Sequence, residues 1–180
     1  MHKGFTLIEL VVVTGIIVLL TALILPNYRA GDQQLSLQRA THKLAQDLRR
    51  TQEMAMSAQF SVATGGEVPR GGYGIYFQEP AGPKEYLLFG DADNDHQYGS
   101  GDYSVENIEI KEGIIISAIE TDKGSESNLF IAFTLVDSEV YFSPVEDASW
   151  AKIVLANEQN LSETKTVYVN KAGLIAVEPR

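Results

Sequence analysis

The most hydrophobic part of the chain is a single run at residues 5–25, which contains one charged side chain, Glu9. An α-helix of this length is roughly 30 Å long, about the thickness of a bilayer's hydrocarbon core. The run therefore predicts a membrane-spanning helix. It is longer than the apolar part of a secretory signal peptide and ends at Pro26 without a small-residue cleavage site, so we expect it to be retained. Pro26 lacks a backbone donor and is expected to bend or loosen the helix.

A second helical pattern covers residues 35–58. Apolar or small side chains recur there at intervals of three or four, which is the spacing of one helix face. They are Leu37, Ala40, Leu44, Leu48, Thr51 and Ala55. Charged residues lie away from much of this stripe, so the pattern predicts an amphipathic helix and not a second membrane span. Asp32 is predicted to be its amino cap or a turn residue.

Beyond a connector rich in glycine and proline at residues 64–72, the pattern changes to short runs of β-type composition. The runs are 73–77, 86–89, 105–110, 114–119, 129–134, 140–142, 152–155, 167–169 and 174–177. Their spacing favours hairpins and antiparallel sheets over βαβ units. The predicted fold class is α+β: a long amino-terminal helix, whose first half spans the membrane, packed against a carboxy-terminal module of antiparallel β-sheet.

The first residues carry a specific resemblance to a known family. The segment KGFTLIEL at residues 3–10, followed by the long apolar helix, resembles the amino terminus of type IV prepilins and type II secretion pseudopilins. This resemblance implies that a prepilin peptidase cuts after Gly4 and methylates the new amino terminus at Phe5. It also places Pro26 at the family's helix-kink position. The long helix followed by many short strands looks more like the H-type minor pseudopilins than like major pilins closed by a disulfide.

The resemblance implies a pilin-like organisation in four parts: a leader at residues 1–4, a transmembrane and filament-core helix at 5–26, an amphipathic ectodomain helix at 27–60, and a β-rich ectodomain at 61–180. The subunit would cross the inner (cytoplasmic) membrane once and then enter an extracytoplasmic filament, a type IV pilus or a secretion pseudopilus. It would polymerise with copies of itself or with other pilins. The other implied partners are the peptidase, an inner-membrane platform protein and a cytoplasmic assembly ATPase.

Glu9 is the polar residue that the apolar run has to accommodate. A carboxylate inside a membrane costs on the order of 3 kcal/mol on insertion scales. Cleavage after Gly4 would give Phe5 an α-ammonium that is protonated at neutral pH. Glu9 could pair with this ammonium in its own chain, one helical turn away, or with that of a neighbouring subunit, which is what the resemblance implies. We adopt the hypothesis that Glu9 recruits the Phe5 ammonium of an adjacent subunit, because an unpaired charge among apolar helices is costly. The alternative is that Glu9 merely reaches the headgroups from near the helix end.

Composition and charge narrow the function further. The chain has 180 residues, 44% of them hydrophobic and 21% charged, and no cysteine, so it has no disulfide or thiolate metal site. Residues 1–70 carry seven Lys/Arg and five Asp/Glu, whereas residues 71–180 carry seven and nineteen, a net charge of -12. Because phosphate backbones demand a basic footprint, this acidic distal part argues against direct nucleic-acid binding.

One acidic loop, at residues 91–102, has the pattern of a calcium site. Alternating carboxylates match positions 1, 3 and 5 of the EF-hand loop, with a backbone oxygen at 7 and an acid at 12. The ligands would be Asp91, Asp93, Asp95, Gln97 and Asp102. His96 departs from the glycine of position 6, and Asp102 is shorter than the usual glutamate. The alternative is a solvated turn between strands; structural calcium is the one cofactor considered, and none is required.

Catalysis has little support in the sequence. The chain has three histidines, and neither His42 nor His96 lies in a recognisable nucleophile or zinc motif, while His2 belongs to the leader. We therefore expect a structural subunit and not an enzyme. The alternative function is a membrane-anchored enzyme or ligand-binding module that acts as a monomer.

Overall fold

The structure is a computed structural model that describes residues 4–78, 84–134, 139–145 and 147–178, without the side chains of residues 24–30. Its contacts divide the chain into two compact units, Met1–Leu35 and Ser36–Arg180. Nearly all of the buried core belongs to the second unit.

One helix, α1, runs from Leu7 to Met56. The predicted amino cap or turn at Asp32 is wrong, because the backbone is helical there. Gly31 costs a helix only about 1 kcal/mol relative to alanine, which is too little to end one that continues into a well-packed stripe. The helix ends where Ala58 takes a left-handed φ of 47° and Gln59 N–H donates to the Met54 carbonyl at 3.0 Å.

Ten strands lie in the described part of the chain. In order they are β1 (Gly72–Gln78), β2 (Glu85–Asp91), β3 (Tyr103–Glu109), β4 (Ile114–Thr121), β5 (Gly124–Glu126), β6 (Asn128–Phe133), β7 (Val140–Ser143), β8 (Trp150–Asn157), β9 (Asn160–Asn170) and β10 (Ile175–Glu178). They form two five-stranded sheets with orders β3-β2-β1-β6-β7 and β10-β9-β8-β4-β5. Each strand pair is antiparallel, which confirms the predicted fold class.

Each predicted β-type run overlaps a strand and extends at most one residue beyond it, but two features were not anticipated. β5 has only three polar or glycine residues, and β9 begins at Asn160, well before the predicted run at 167–169. The first half of β9 is polar and largely exposed, so no hydrophobic pattern marks it. It is held by backbone pairing with β8, in which Leu155 lies opposite Lys165.

The second unit is built around the inner faces of the two sheets and the carboxy-terminal part of α1. Leu44 and Leu48 of the predicted helical stripe are buried, as are the alternating Tyr73, Ile75 and Phe77 of β1. Polar side chains also connect the helix to the edge of a sheet. The Arg49 guanidinium donates a hydrogen bond to the Ile175 carbonyl of β10 at 3.0 Å. The predicted packing of an amphipathic helix against antiparallel sheet is confirmed.

Candidate functional site

The first two described residues, Gly4 and Phe5, are open to solvent. Gly4 and Phe5 precede α1, both are exposed, and no atom lies within 4 Å of the position that a Cβ on Gly4 would occupy. A peptide bond in such an exposed, uncrowded segment is accessible to a protease. The structure thus leaves the predicted cleavage position free, although cleavage and methylation themselves stay predictions.

Thr6 and Glu9 close the first turn of α1 as a capping box. The Thr6 amide and hydroxyl both donate to Glu9 Oε2 at 3.5 Å, and the Glu9 amide donates to Thr6 Oγ1 at 3.3 Å. The Thr-x-x-Glu spacing of Thr6 and Glu9 is the sequence signature of a capping box. The sequence analysis did not predict this capping box. Among the described residues, Glu9 therefore has only weak, local side-chain partners, at hydrogen-bond distances near the upper limit.

The amino-terminal part of α1 has an apolar surface on every side as far as Leu23. Between Phe5 and Leu23, the large apolar side chains are 48–82% exposed. The hydroxyls of Thr14 and Thr21 donate to carbonyls of their own helix at 3.0 and 2.8 Å, so they add little polarity. Glu9 is the one charge on this stretch.

A helix that is hydrophobic on every side is normally covered by protein or lipid. Among the described residues, however, none of the helices is both long and apolar enough to cross a membrane. The membrane span expected at residues 5–25 stays a prediction. The backbone at Pro26 is helical and its side chain lies outside the described set, so the expected bend stays a prediction too.

The acidic loop joins β2 to β3 and brings together three of its five predicted ligands. One carboxylate oxygen each of Asp91, Asp93 and Asp95 lies within 4.8 Å of the others. Asp91 is fully buried and accepts the amides of Asn94 at 2.6 Å and His96 at 2.9 Å. Burial raises the pKa of Asp91, and the charge of the nearby Asp102 adds to this rise, while the backbone amides oppose it.

The other two predicted ligands hold the loop. Asp102 accepts the amides of Ala92 at 2.8 Å and Gly99 at 2.7 Å, so it closes the loop across its base. The Gln97 amide donates to Asp95 Oδ1 at 2.8 Å. Asp102 does not belong to the cluster of convergent carboxylates, and the backbone oxygen expected from Gln97 stays a prediction.

His96 fills the position where a calcium loop has glycine, yet the backbone adopts the required turn. Its φ is 62°, and its ring stacks on Tyr141 with the centroids 4.0 Å apart. Three carboxylates at this spacing offer hard oxygen ligands of the kind that Ca²⁺ prefers. The geometry is compatible with a cation, and calcium binding remains a prediction.

Comparison with known proteins gave no match to a protein-family model and none to a curated protein. Two solved structures are similar, both of the type IV minor pilin FimU from Pseudomonas aeruginosa in different crystal forms. They are 13% and 15% identical, cover 79% of this chain and 88% and 93% of the other chain, and have a TM-score of 0.46. At this similarity the comparison assigns no role to any residue.

Proposed function

We propose that this chain is a structural subunit of the prepilin and pseudopilin type. It is cut after Gly4, methylated at Phe5 and inserted in the inner membrane through residues 5–25. It is then assembled into a type IV pilus or a type II secretion pseudopilus. The observation that carries this proposal is the exposed apolar surface between Phe5 and Leu23, on which Glu9 is the only charge.

Such a surface is too large to remain in water. Exposed apolar patches of more than a few hundred Å² on soluble proteins usually mark sites of interaction. Lipid covers the surface before assembly, and the helices of neighbouring subunits cover it afterwards. Because lipid tails are as apolar as leucine, the exchange gains little hydrophobic energy, and the polar residue has to select the neighbour.

Glu9 provides this selection. Its partners in the isolated chain are the Thr6 amide and hydroxyl, both neutral and at 3.5 Å. The Phe5 ammonium of a neighbour is a charged donor, and charge-assisted hydrogen bonds are about twice as strong as neutral ones. In an apolar helix core, pairing also removes the cost of leaving either charge alone.

The proposal is tested with the full chain, expressed with a prepilin peptidase and an assembly system. Mass spectrometry of the product should show an amino terminus at methylated Phe5. Glu9→Ala and Glu9→Leu should still enter the membrane but be reduced in filaments, whereas Glu53→Ala, at an exposed acid further along α1, should assemble normally. Normal incorporation of both Glu9 variants would reject the role of Glu9.

The monomeric alternative makes the opposite prediction for uncut protein. An anchored enzyme or ligand-binding module needs neither cleavage nor polymerisation. Gly4→Leu places a bulky side chain at the scissile bond and should block processing. Filaments formed at normal yield from this uncut chain would refute the proposed function.

The proposed partners are the peptidase, the inner-membrane platform protein, the assembly ATPase and other pilin subunits. Direct nucleic-acid binding is not part of the proposal, because residues 71–180 carry a net charge of -12. Structural calcium at Asp91, Asp93 and Asp95 is a second element. A bound cation would offset the mutual repulsion of these carboxylates and the burial of Asp91.

A further inference from the structure

A groove of about 190 Å³ lies between α1 and the sheet edges in the second unit. Its apolar lining includes Leu44, Ile110 and Leu155. Three cations surround it, and we call the whole feature the basic groove. They are Arg39 and Lys43 of α1 and Lys111, which follows β3. Glu109 is the one acid in the lining, so the groove is locally positive, although residues 71–180, which form part of it, carry a net charge of -12.

The cations of the basic groove have no carboxylate partner among the described residues. Lys43 donates to the Glu109 carbonyl at 3.3 Å and Lys111 to Ser36 Oγ at 2.7 Å, and the ion pairs of the described chain involve other residues. Arg39 and Lys43 are four residues apart on one helix, where like charges are mildly destabilising. This arrangement leaves positive charge available for an external anion.

The acidic loop lies at the opposite end of the same hairpin. In the register of β2 and β3, Tyr86 is opposite Ile108 at the groove, and Gly90 is opposite Tyr103 at the loop. From Tyr86 to Asp91 the strand extends about 17 Å, at roughly 3.3 Å per residue. Since both ends belong to one paired sheet, the groove and the loop of a single subunit cannot meet.

We propose that the basic groove receives the acidic loop of a second copy of this chain. Asp93 and Asp95 are exposed and supply the negative charge, while Arg39, Lys43 and Lys111 supply the positive charge. A contact between two different patches is heterologous, so it repeats from subunit to subunit and forms an open polymer unless the rotation closes a ring. The inference deepens the proposed function and rests on it for the biological setting of the contact.

The absence of cysteine makes the test direct. In the full chain, Lys43→Cys combined with Asp95→Cys should give a ladder of multimers with a short bis-maleimide crosslinker. Either variant alone has one reactive side chain and should give no ladder. The matched control keeps Lys43→Cys and adds Leu161→Cys, at an exposed position on β9, which belongs to the other sheet, and it should give no ladder either. The experiment is run with a calcium chelator, because a cation at the proposed calcium site would neutralise the carboxylates that the groove is proposed to receive.

Charge reversal separates a specific contact from mere proximity. In the double-cysteine chain, Lys111→Glu or Asp93→Lys should each lower the ladder yield about two- to fivefold, as expected for an exposed ion pair. Combining the two reversals should restore it, and salt should weaken the original ladder because exposed charges are screened. No ladder, an equal ladder from the Leu161 control, or no rescue by the combined reversal would overturn the inference.

The same samples distinguish this contact from the proposed function. Filaments seen by electron microscopy without a ladder would overturn the contact and leave the proposed function standing. A specific ladder without filaments would support the contact and reject the filament role. If neither forms, both fail.

Discussion

Glu9 can act as a helix cap or as a charge that selects a neighbour, and three substitutions separate these roles. Glu9→Gln keeps the capping box, because glutamine also serves at the third position of the motif, but removes the charge. Thr6→Ala removes the cap and keeps the charge. Glu9→Ala removes both. We expect Glu9→Gln to be nearly as defective in filament assembly as Glu9→Ala, and Thr6→Ala to assemble almost normally.

The magnitudes follow from the geometry. The hydrogen bonds of the capping box measure 3.3–3.5 Å, so its loss should cost about 0.5 kcal/mol, the low end for amino caps. Removing one partner of a desolvated ion pair costs about 3 kcal/mol or more. Since about 1.4 kcal/mol is a factor of ten, Thr6→Ala should lower incorporation about twofold and Glu9→Gln about a hundredfold.

The assay is competition within one filament. Each variant is expressed with the wild-type chain, the filaments are sheared and purified, and the ratio of the two chains is measured by mass spectrometry against their ratio in the membrane. If Glu9→Gln enters filaments like wild type while Thr6→Ala is excluded, Glu9 acts as a cap and the charge-pairing argument fails.

The remaining predictions concern the second unit. Leu48→Ala should cost about 3 kcal/mol because the side chain is fully buried, lowering the Tm by about 10 °C in thermal unfolding, whereas Leu161→Ala at an exposed site should change it little. Tyr86→Phe removes a hydrogen bond to the Asp47 carboxylate and should cost about 1.5 kcal/mol in urea unfolding at neutral pH. Burial, together with the hydrogen bond to Asp47 and its charge, raises the pKa of Tyr86, so the stabilisation should be lost as the pH rises above about 10. If the difference in unfolding free energy between wild type and Tyr86→Phe does not shrink at high pH, this argument is contradicted. Millimolar calcium should raise the Tm, and Asp93→Asn should reduce that rise; no heat in calorimetry and no shift would dismiss the site.

The parts of the fold that the sequence predicted well are those in which one residue type repeats with the period of its element. The stripe through Leu44 and Leu48 and the alternation of Tyr73, Ile75 and Phe77 both end in the core. These patterns can be recognised in the sequence because a strand buries every second residue and a helix buries every third or fourth. The position of α1 and of most strands could therefore be read without any tertiary information.

The errors fall where backbone hydrogen bonds, and not burial, decide the conformation. The polar start of β9 is a strand because β8 is beside it, and the helix passes Asp32 because the turns on both sides are helical. The convergence of Asp91, Asp93 and Asp95 was legible, since alternation in a short loop brings them together. The role of Asp102 in closing the loop depends on the amides that it meets, which the sequence does not specify.

The basic groove was hidden for another reason. Arg39 and Lys43 lie about seventy residues from Lys111 in the chain, and only the docking of α1 beside the end of β3 brings them to one place. Read in sequence, these cations are ordinary charges on a solvated helix face and in a loop. In the described part of the structure these cations have no carboxylate partner, which is informative because residues 71–180 are strongly acidic.

Apolar contact between helices is non-directional, so a filament also needs contacts that fix rotation and polarity. Opposite charges at the two ends of one hairpin meet that requirement, because they attract a second copy in a single orientation and repel it in the reverse one.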